Sequence, residues 1–255
     1  ISNSSEALDG LRTLLAGPVE DGMLGIGRVL YYAVPIIMTG LSVGFAFKTG
    51  LFNIGTPGQF IIGAFAAVYV GVKWTFLPGS IHWLVAILAA FAAGGLWAVI
   101  PGVMKAYLNV NEVISSIMMN YIGMYLVNYS VSLVLFDALR NQSLPVASTA
   151  VIPKMGFDKI FTGSPANGGF VIAILFVILI YIILNKTSFG YEMKACGFNK
   201  DASKYAGINE KRNIILSMVI AGALAGVGGG LLYLSGSGKF IEVVDVLPAE
   251  GFNGI

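Results

Sequence analysis

The chain has 255 residues, of which 56% are hydrophobic and only 11% are charged. Soluble globular domains carry about 25% charged residues, so a soluble fold of this composition would lack the polar surface to cover itself. The net charge of +2 argues against nucleic-acid binding, and a single cysteine, Cys196, excludes an internal disulfide. His82 is the only histidine, and no cluster of His, Cys and carboxylate side chains has metal-ligand spacing. We therefore expect a protein of the lipid bilayer without a metal site.

The first 27 residues are too rich in acids to be a cleavable signal peptide. Ser5 is a suitable N-cap, and Leu8, Leu11 and Leu15 recur at helical spacing. This pattern predicts a short amphipathic helix that lies at the membrane surface. We therefore treat 1–27 as an extracellular segment that precedes the transmembrane domain.

The transmembrane domain, 28–255, contains repeated apolar segments. A helix that crosses a bilayer needs about 20 mostly apolar residues. Six segments meet this need, namely 28–47, 54–72, 83–104, 113–136, 169–184 and 214–234. The sequence therefore predicts an all-α bundle of about six transmembrane helices. Glycines at four-residue spacing, such as Gly222, Gly226 and Gly230, predict close packing between these helices.

The basic residues of the connecting loops predict the orientation of the chain, because Lys and Arg concentrate on the cytoplasmic side. One alternating set of connectors, 48–53, 105–112 and 185–213, holds eight basic residues and four acids. We assign this set to the cytoplasm. The other set then lies outside, and three prolines within 137–168 predict an irregular outer loop.

The cytoplasmic loop 185–213 contains the pattern small-Gly-apolar-Asn twice, at Cys196 to Asn199 and at Ala206 to Asn209. We expect each glycine to adopt the left-handed conformation past a helix end, with the next apolar residue packed back on the last turn. Each asparagine would cap the following helix. The loop is thus predicted to contain a short helix over about 200–206. It either lies on the membrane surface through its lysines or docks a cytoplasmic partner.

Four stretches, in order, resemble the permease subunits of ATP-binding-cassette importers for nucleosides and simple sugars. These belong to the branched-chain amino acid and ribose-type superfamily of inner-membrane permeases. The matching stretches are Gly40 to Gln59, Asn111 to Tyr121, Gly190 to Asn199 with Tyr205 to Ile208, and Gly251 to Ile255. Thr56-Pro57 and Cys196 depart mildly from the family pattern. Family members continue beyond the last motif, so we expect the chain to be truncated at both ends.

The resemblance implies a multi-pass transport subunit of a bacterial cell membrane, with no enzymatic activity and no cofactor of its own. Consistently, the sequence lacks a Gly-x-x-x-x-Gly-Lys-Ser/Thr loop. It implies three protein partners: a second permease, alike or different, a cytoplasmic ATPase that binds ATP, and an extracellular or periplasmic substrate-binding lipoprotein. The ATPase would dock on 187–209. The residues expected to couple to it are Gly190, Tyr191, Glu192, Lys194, Ala195, Gly197, Asn199, Tyr205 and Gly207.

Polar residues within the spans indicate where a substrate would pass, because such residues tend to face the bundle interior or a water path. The stretch 52–59 interrupts two apolar runs and is either a tight hairpin or a broken helix that lines a pathway. Amides and tyrosines in 113–136 suit a neutral ligand with hydroxyls and a flat base, or else bond between helices. The pathway candidates are Asn53, Gln59, Asn120, Tyr121 and Asn128.

Two other classes of membrane protein would need different residues in their spans. An ion-driven secondary transporter of small polar solutes usually places an ionisable group in mid-membrane. Here the only acid near a span, Glu112, lies at a helix mouth where the helix dipole favours it. An intramembrane enzyme would need an embedded set such as Ser/Lys, Asp/Asp or His/Glu, and His82 lies at an outer boundary. The secondary transporter is the alternative that the sequence leaves open.

Overall fold

The computed structural model describes residues 4–255, apart from the side chains of residues 4–6, 14, 15 and 18. Over this range the all-α prediction is confirmed. The α-helices are α1 (Ser4–Glu20), α2 (Met23–Lys48), α3 (Thr56–Lys73), α4 (Gly79–Leu108), α5 (Glu112–Val134), α6 (Phe157–Ile160), α7 (Gly169–Lys186), α8 (Ser188–Phe198), α9 (Lys200–Tyr205) and α10 (Glu210–Tyr233). Two antiparallel strands of two residues each, β1 (Phe136–Asp137) and β2 (Gln142–Ser143), and the 3₁₀ helices Ser148–Ala150 and Ala249–Gly251 complete the described structure.

All six predicted segments are helical, and they correspond to α2, α3, α4, α5, α7 and α10. Among the described residues, the five other than α3 are long and apolar enough to cross a membrane. Helix α3 begins with the polar run Thr56-Pro57-Gly58-Gln59, and most of its residues are buried between α10, α4 and α5. Because its neighbours shield it, α3 needs less apolar surface than a helix that faces lipid.

Helix α10 lies at the centre of the bundle. It packs against α4, α3 and α2, and every residue from Ala221 to Tyr233 is buried. A Cβ atom added to Gly222 or Gly226 would come closer than 3.0 Å to backbone atoms of α4, and one added to Gly229 would do the same in α3. The close packing predicted from the glycine spacing is therefore confirmed. Only glycine permits backbones to approach this closely in a membrane, where no hydrophobic force drives helices together.

Helix α7 lies at the edge of the bundle, where it packs on α2. Only Gly169, Ala173 and Ile180 of its residues are buried. The rest of the helix is nearly all aliphatic or aromatic and remains exposed or half-buried. An apolar surface of this kind is the expected partner of lipid tails.

The predicted outer loop 137–168 is less irregular than expected, because β1 and β2 form a hairpin at its start. This hairpin contacts the segment that follows α10. The Ser143 amide donates to the Ile241 carbonyl over 2.8 Å, and Asn141 Nδ2 donates to the Val243 carbonyl over 3.1 Å. Both segments therefore lie at one end of the bundle, here called the hairpin end, as the alternation of six spans requires.

At the N-terminus, α1 is longer than the amphipathic segment predicted from the sequence. Ser5, the predicted N-cap, lies inside α1, and the side chains of Ser5 and Leu15 lie outside the described part of the structure. The predicted boundary between 27 and 28 lies inside α2, because apolar residues already begin at Met23. Arg28, in the second turn of α2, pairs with Asp21 over 2.9 Å.

Replacement of Gly226 by alanine should destabilise the bundle, because the new Cβ would collide with the Ala90 carbonyl oxygen of α4. Backbone atoms cannot rotate away, so we expect a loss of about 1–3 kcal/mol, as for other overpacked cores. Thermal unfolding in detergent measures this loss. Gly44→Ala is the matched control, since a Cβ there meets nothing within 4 Å. Equal melting temperatures for the two variants would contradict the assignment of Gly226 to a packing role.

Candidate functional site

Three of the five pathway candidates form one buried cluster, here called the amide node: Asn53, Gln59 and Asn120. Their side chains are at most 3% exposed. Asn53 Nδ2 donates to Gln59 Oε1 over 2.8 Å, and Gln59 Nε2 donates back to Asn53 Oδ1 over 3.0 Å. The two amides thus satisfy each other in a closed pair. Buried amides without such partners would cost several kcal/mol, on the order of 1–3 for each group.

Asn120 joins this pair to α5. Its Nδ2 donates to the Ile54 carbonyl over 3.0 Å, and its Oδ1 accepts from the Gly58 amide over 2.9 Å. Pro57 lies in the first turn of α3 and has no N–H to satisfy. The amide node therefore supplies partners for the free backbone groups where α3 begins, which is how a membrane protein tolerates a break between helices.

Ser116 lies beside the amide node and was not among the pathway candidates. It is fully buried next to Gly55, and its hydroxyl has no hydrogen-bond partner within residues 4–255. Asn53 also donates to the Ser42 hydroxyl over 3.3 Å. The structure thus shows that the node holds the α2–α3 turn together. A substrate route along Asn53, Gln59 and Asn120 stays a prediction.

The other two candidates, Tyr121 and Asn128, lie on a different surface. Tyr121, Tyr125, Asn128 and Ser132 follow one another at spacings of four, three and four, so they share one side of α5. We call this surface the α5 face. Tyr121 and Tyr125 are 53% and 56% exposed. Tyr125 is one of the tyrosines of the span noted in the sequence and is not among the five candidates, but its position four residues after Tyr121 places it on the same surface.

Asn128 fixes the α5 face to the hairpin end, because its Nδ2 donates to the Val244 carbonyl over 2.9 Å. An asparagine and two tyrosines are poor neighbours for lipid tails, since polar groups in hydrocarbon are costly. The α5 face is therefore suited to contact with protein or water. It is the surface of the bundle on which two of the candidates remain accessible.

At the opposite end, the loop between α7 and α10 folds into α8 and α9, as predicted. Three side chains cap its helices. Thr187 Oγ1 accepts from the Gly190 amide, Asn199 Oδ1 from the Ala202 amide and Asn209 Oδ1 from the Arg212 amide, at 3.0–3.1 Å. Gly207 has φ +80°, the left-handed conformation predicted for it. The caps at Asn199 and Asn209 are confirmed.

Two predictions for the first copy of the loop pattern are wrong. Gly197 lies inside α8 and does not adopt a left-handed conformation. Phe198 is 90% exposed instead of packing back on the helix. The physical reason is that α8 ends at Phe198 and Asn199 caps α9 at once, which leaves no turn for a glycine to terminate. Gly197 instead permits close approach, because its Cβ would lie closer than 3.0 Å to the Lys48 carbonyl.

The nine residues expected to couple to the ATPase divide into two groups. Gly190 is buried, and Glu192, Lys194 and Ala195 are half-buried. Glu192 accepts from Asn213 of α10 over 3.4 Å. The exposed group comprises Tyr191, Gly197, Asn199, Tyr205 and Gly207.

Phe198 belongs with this exposed group although it was not a candidate. Tyr191, Phe198 and Tyr205 are 70%, 90% and 95% exposed. Large aromatic side chains exposed together in a polar segment mark an interaction surface. An aromatic residue in an otherwise charged loop is the sequence signal that could have identified Phe198.

A double-mutant cycle tests the amide node. Asn53→Ala and Gln59→Ala should each lower the melting temperature, because each leaves a buried amide without its partner. The double variant should lose less than the sum of the two, with a coupling energy of about 0.5–3 kcal/mol. Asn53→Ala with Asn128→Ala is the control pair, since Asn128 bonds elsewhere and its effect should be additive. Additive losses for Asn53 and Gln59 would refute the closed pair.

Comparison with known proteins identifies the family to which the chain is similar. Residues 25–255 match the family described as branched-chain amino acid transport system / permease component. The guanosine ABC transporter permease protein NupP of Bacillus subtilis is 40% identical over 230 residues, 90% of this chain and 65% of NupP. The nucleoside ABC transporter permease protein NupB of Lactococcus lactis is 36% identical over 209 residues, 80% of this chain and 57% of NupB.

A third relative, the glucose ABC transporter permease protein TsgB13 of Haloferax volcanii, is 31% identical over 238 residues, 91% of this chain and 62% of TsgB13. The chain thus spans less than two thirds of the length of these relatives. No solved structure matches it.

The family match covers nearly all of the chain and agrees with its apolar helices. The chain therefore belongs to the permease-component family of branched-chain amino acid transport systems and is a multi-pass protein of the cell membrane.

Proposed function

We propose that this chain is part of a permease subunit of an ATP-binding-cassette importer that passes a nucleoside or a related simple sugar into a bacterial cell. The observation that carries the proposal is family membership, joined with relatives whose names specify guanosine, nucleosides and glucose. All three names describe transport of small hydroxyl-rich molecules. In this proposal the permease hydrolyses nothing and binds no cofactor, and ATP is bound by a separate chain.

The α5 face supports the proposal, because its chemistry fits such a substrate. A tyrosine ring can stack on a flat base, and the Asn128 amide can bond to ring nitrogens or hydroxyls. The face is exposed on this chain and unsuited to lipid, so we assign it to the contact with a second permease, alike or different. The pathway would then run between the two subunits. The amide node would lie behind it, since Asn120 points into the bundle from the residue next to Tyr121.

The α8 and α9 helices support the second part of the proposal, the docking of a cytoplasmic ATPase. They are short, capped at both starts and held to α10 through Glu192. They present the exposed aromatic residues Tyr191, Phe198 and Tyr205 away from the bundle. Aromatic anchors of this kind carry a large share of the energy in protein interfaces. The substrate-binding lipoprotein would approach the hairpin end.

Transport assays on the assembled complex in vesicles test the proposed substrate class. We expect uptake of labelled guanosine, with competition by uridine and ribose revealing which group is recognised, and we expect uptake to require ATP. Asn128→Leu and Tyr121→Ala should lower uptake about tenfold, in line with the loss of an anchoring contact of 1–2 kcal/mol. Leu126→Ala is the control, because Leu126 is exposed on another side of α5.

Two outcomes would overturn this proposal. Uptake that persists without the ATPase but collapses with the ion gradient would favour the secondary transporter. Unchanged uptake in both α5-face variants would show that the substrate pathway does not follow the α5 face.

The docking surface is tested by the amount of ATPase that copurifies with the permease. Phe198→Ala and Tyr205→Ala should each weaken the association by about 1–2 kcal/mol, because each removes a large exposed aromatic contact. Phe76→Ala is the matched control, since Phe76 is 77% exposed but lies between α3 and α4, at the other end of the bundle. If the Phe76 variant loses as much ATPase as the others, α8 and α9 are not the docking site.

A further inference from the structure

Two adjoining cavities lie near the start of α2, away from the α5 face and from α8 and α9. The larger cavity, about 500 Å³, is at the hairpin end and is lined by Arg28, Tyr31, Lys154, Lys239 and the serine-glycine turn 235–238. The smaller cavity, about 360 Å³, follows the surface between α1 and α2. Arg28 and Tyr32 line both cavities, so the two lie side by side.

The larger cavity is cationic. Among the described residues its lining holds Arg28, Lys154 and Lys239 and no carboxylate. Glu250 pairs with Lys239 from outside the lining, over 2.7 Å. Burial by itself would lower the pKa of Lys239, but the hydrogen bond to Glu250 and the charge of that carboxylate together outweigh it. The pKa therefore lies above its ordinary value, and Lys239 is a cation at neutral pH.

The remaining two cations are available to a ligand. Arg28 pairs with Asp21, which lines the smaller cavity, but both side chains are more than half exposed, and exposed ion pairs contribute little. Lys154 has no ion-pair partner among the described residues. Beside them, the hydroxyls of Tyr31, Ser235 and Ser237 form a connected group, with Tyr31 Oη and Ser237 Oγ 2.8 Å apart. The larger cavity thus combines positive charge with hydroxyl donors.

The lining of the smaller cavity differs in its chemistry. Its lining includes Gly25, Val29, Ala33 and Ile36, so it is mainly apolar. Val29 and Ile36 are 47% and 45% exposed on the outside of the bundle, where lipid tails would reach them. Arg28 and Ile36 are eight positions apart, which on a helix of 1.5 Å per residue separates them by about 12 Å. Cationic and apolar walls thus follow one another along α2.

We propose that these adjoining cavities bind an anionic phospholipid of the surrounding membrane. Its phosphate lies between Arg28 and Lys154, and one acyl chain follows the apolar cavity between α1 and α2. A free nucleoside or sugar would leave the apolar part empty, and a zwitterionic lipid would not use the excess of positive charge. Basic residues near the membrane surface attract anionic headgroups through their charge.

The charge requirement is tested on the assembled complex, purified with few lipids in neutral detergent. Native mass spectrometry would follow the binding of phosphatidylglycerol and of phosphatidylcholine. We expect preferential binding of phosphatidylglycerol. Arg28→Gln and Lys154→Gln should each reduce it about fivefold, which corresponds to the contribution of about 1 kcal/mol for one cation near an anionic surface. Lys159→Gln should bind as wild type, because Lys159 is exposed at the same end but lines neither cavity.

The tail requirement is tested by Ala33→Trp, which fills the apolar cavity without changing charge. This variant should lose phosphatidylglycerol binding, while its melting temperature in detergent confirms that it is folded. Equal binding of both lipids, or equal losses in the Lys154 and Lys159 variants, would overturn the proposal. Displacement of the lipid by glycerol 3-phosphate, which has no acyl chain, would also overturn it and would identify a site for free anions.

Discussion

Contact between glycine backbones along α10 is the constraint on which the rest of the bundle depends. In lipid, helices gain little from burying apolar side chains against one another, so their association relies on close packing. Gly222, Gly226 and Gly229 let α4 and α3 approach the axis of α10 directly. The position of α3 follows from this contact. A helix pressed this far into the bundle carries its polar first turn into a region without water.

The amide node supplies hydrogen-bond partners for this buried polar turn. The N–H groups where α3 begins need acceptors. Asn120 of α5 accepts from the Gly58 amide, and Asn53 accepts from the Gly55 amide just before the helix. Gln59 holds Asn53 in place through their closed amide pair. This arrangement also sets the rotation of α5. With Asn120 directed inward, Tyr121 and Asn128 lie about a quarter turn away around the helix, where Tyr121 is exposed and Asn128 is half-buried. One helix thus has a structural polar side and a side free to meet another molecule.

The sequence predicts the positions of the helices well, but it predicts the contacts between them poorly. Hydropathy locates all six apolar segments within a few residues, and the caps at Asn199 and Asn209 are local features that a short window reveals. The two copies of the small-Gly-apolar-Asn pattern nevertheless have different structures. Gly207 forms the expected turn, whereas Gly197 remains helical and lies against the chain around Lys48. No local pattern reveals that neighbour.

The amides show the same limit. Sequence identifies them as unusual residues for a membrane but does not show that Asn53 and Gln59 bond to each other while Asn128 bonds to a distant loop. Tertiary packing decides the hydrogen-bond partners. An asparagine that bonds to a neighbouring amide and one that bonds to a distant loop therefore look the same in the sequence. The exposed position of Phe198 has a related cause. An apolar residue packs back on a helix end only when a turn follows the helix, and α8 ends without one.

The contact at Gly197 has a mechanical consequence. A Cβ built on Gly50 would lie 3.2 Å from the Gly197 Cα, so backbone faces backbone between α8 and the turn that follows α2. Side chains usually absorb small displacements between helices by changing rotamer, but glycines have none to change. Three residues beyond Gly50 the chain reaches Asn53 in the amide node. A tilt of α8 would therefore press directly on the backbone of this turn, with no side chain between the two segments to change rotamer.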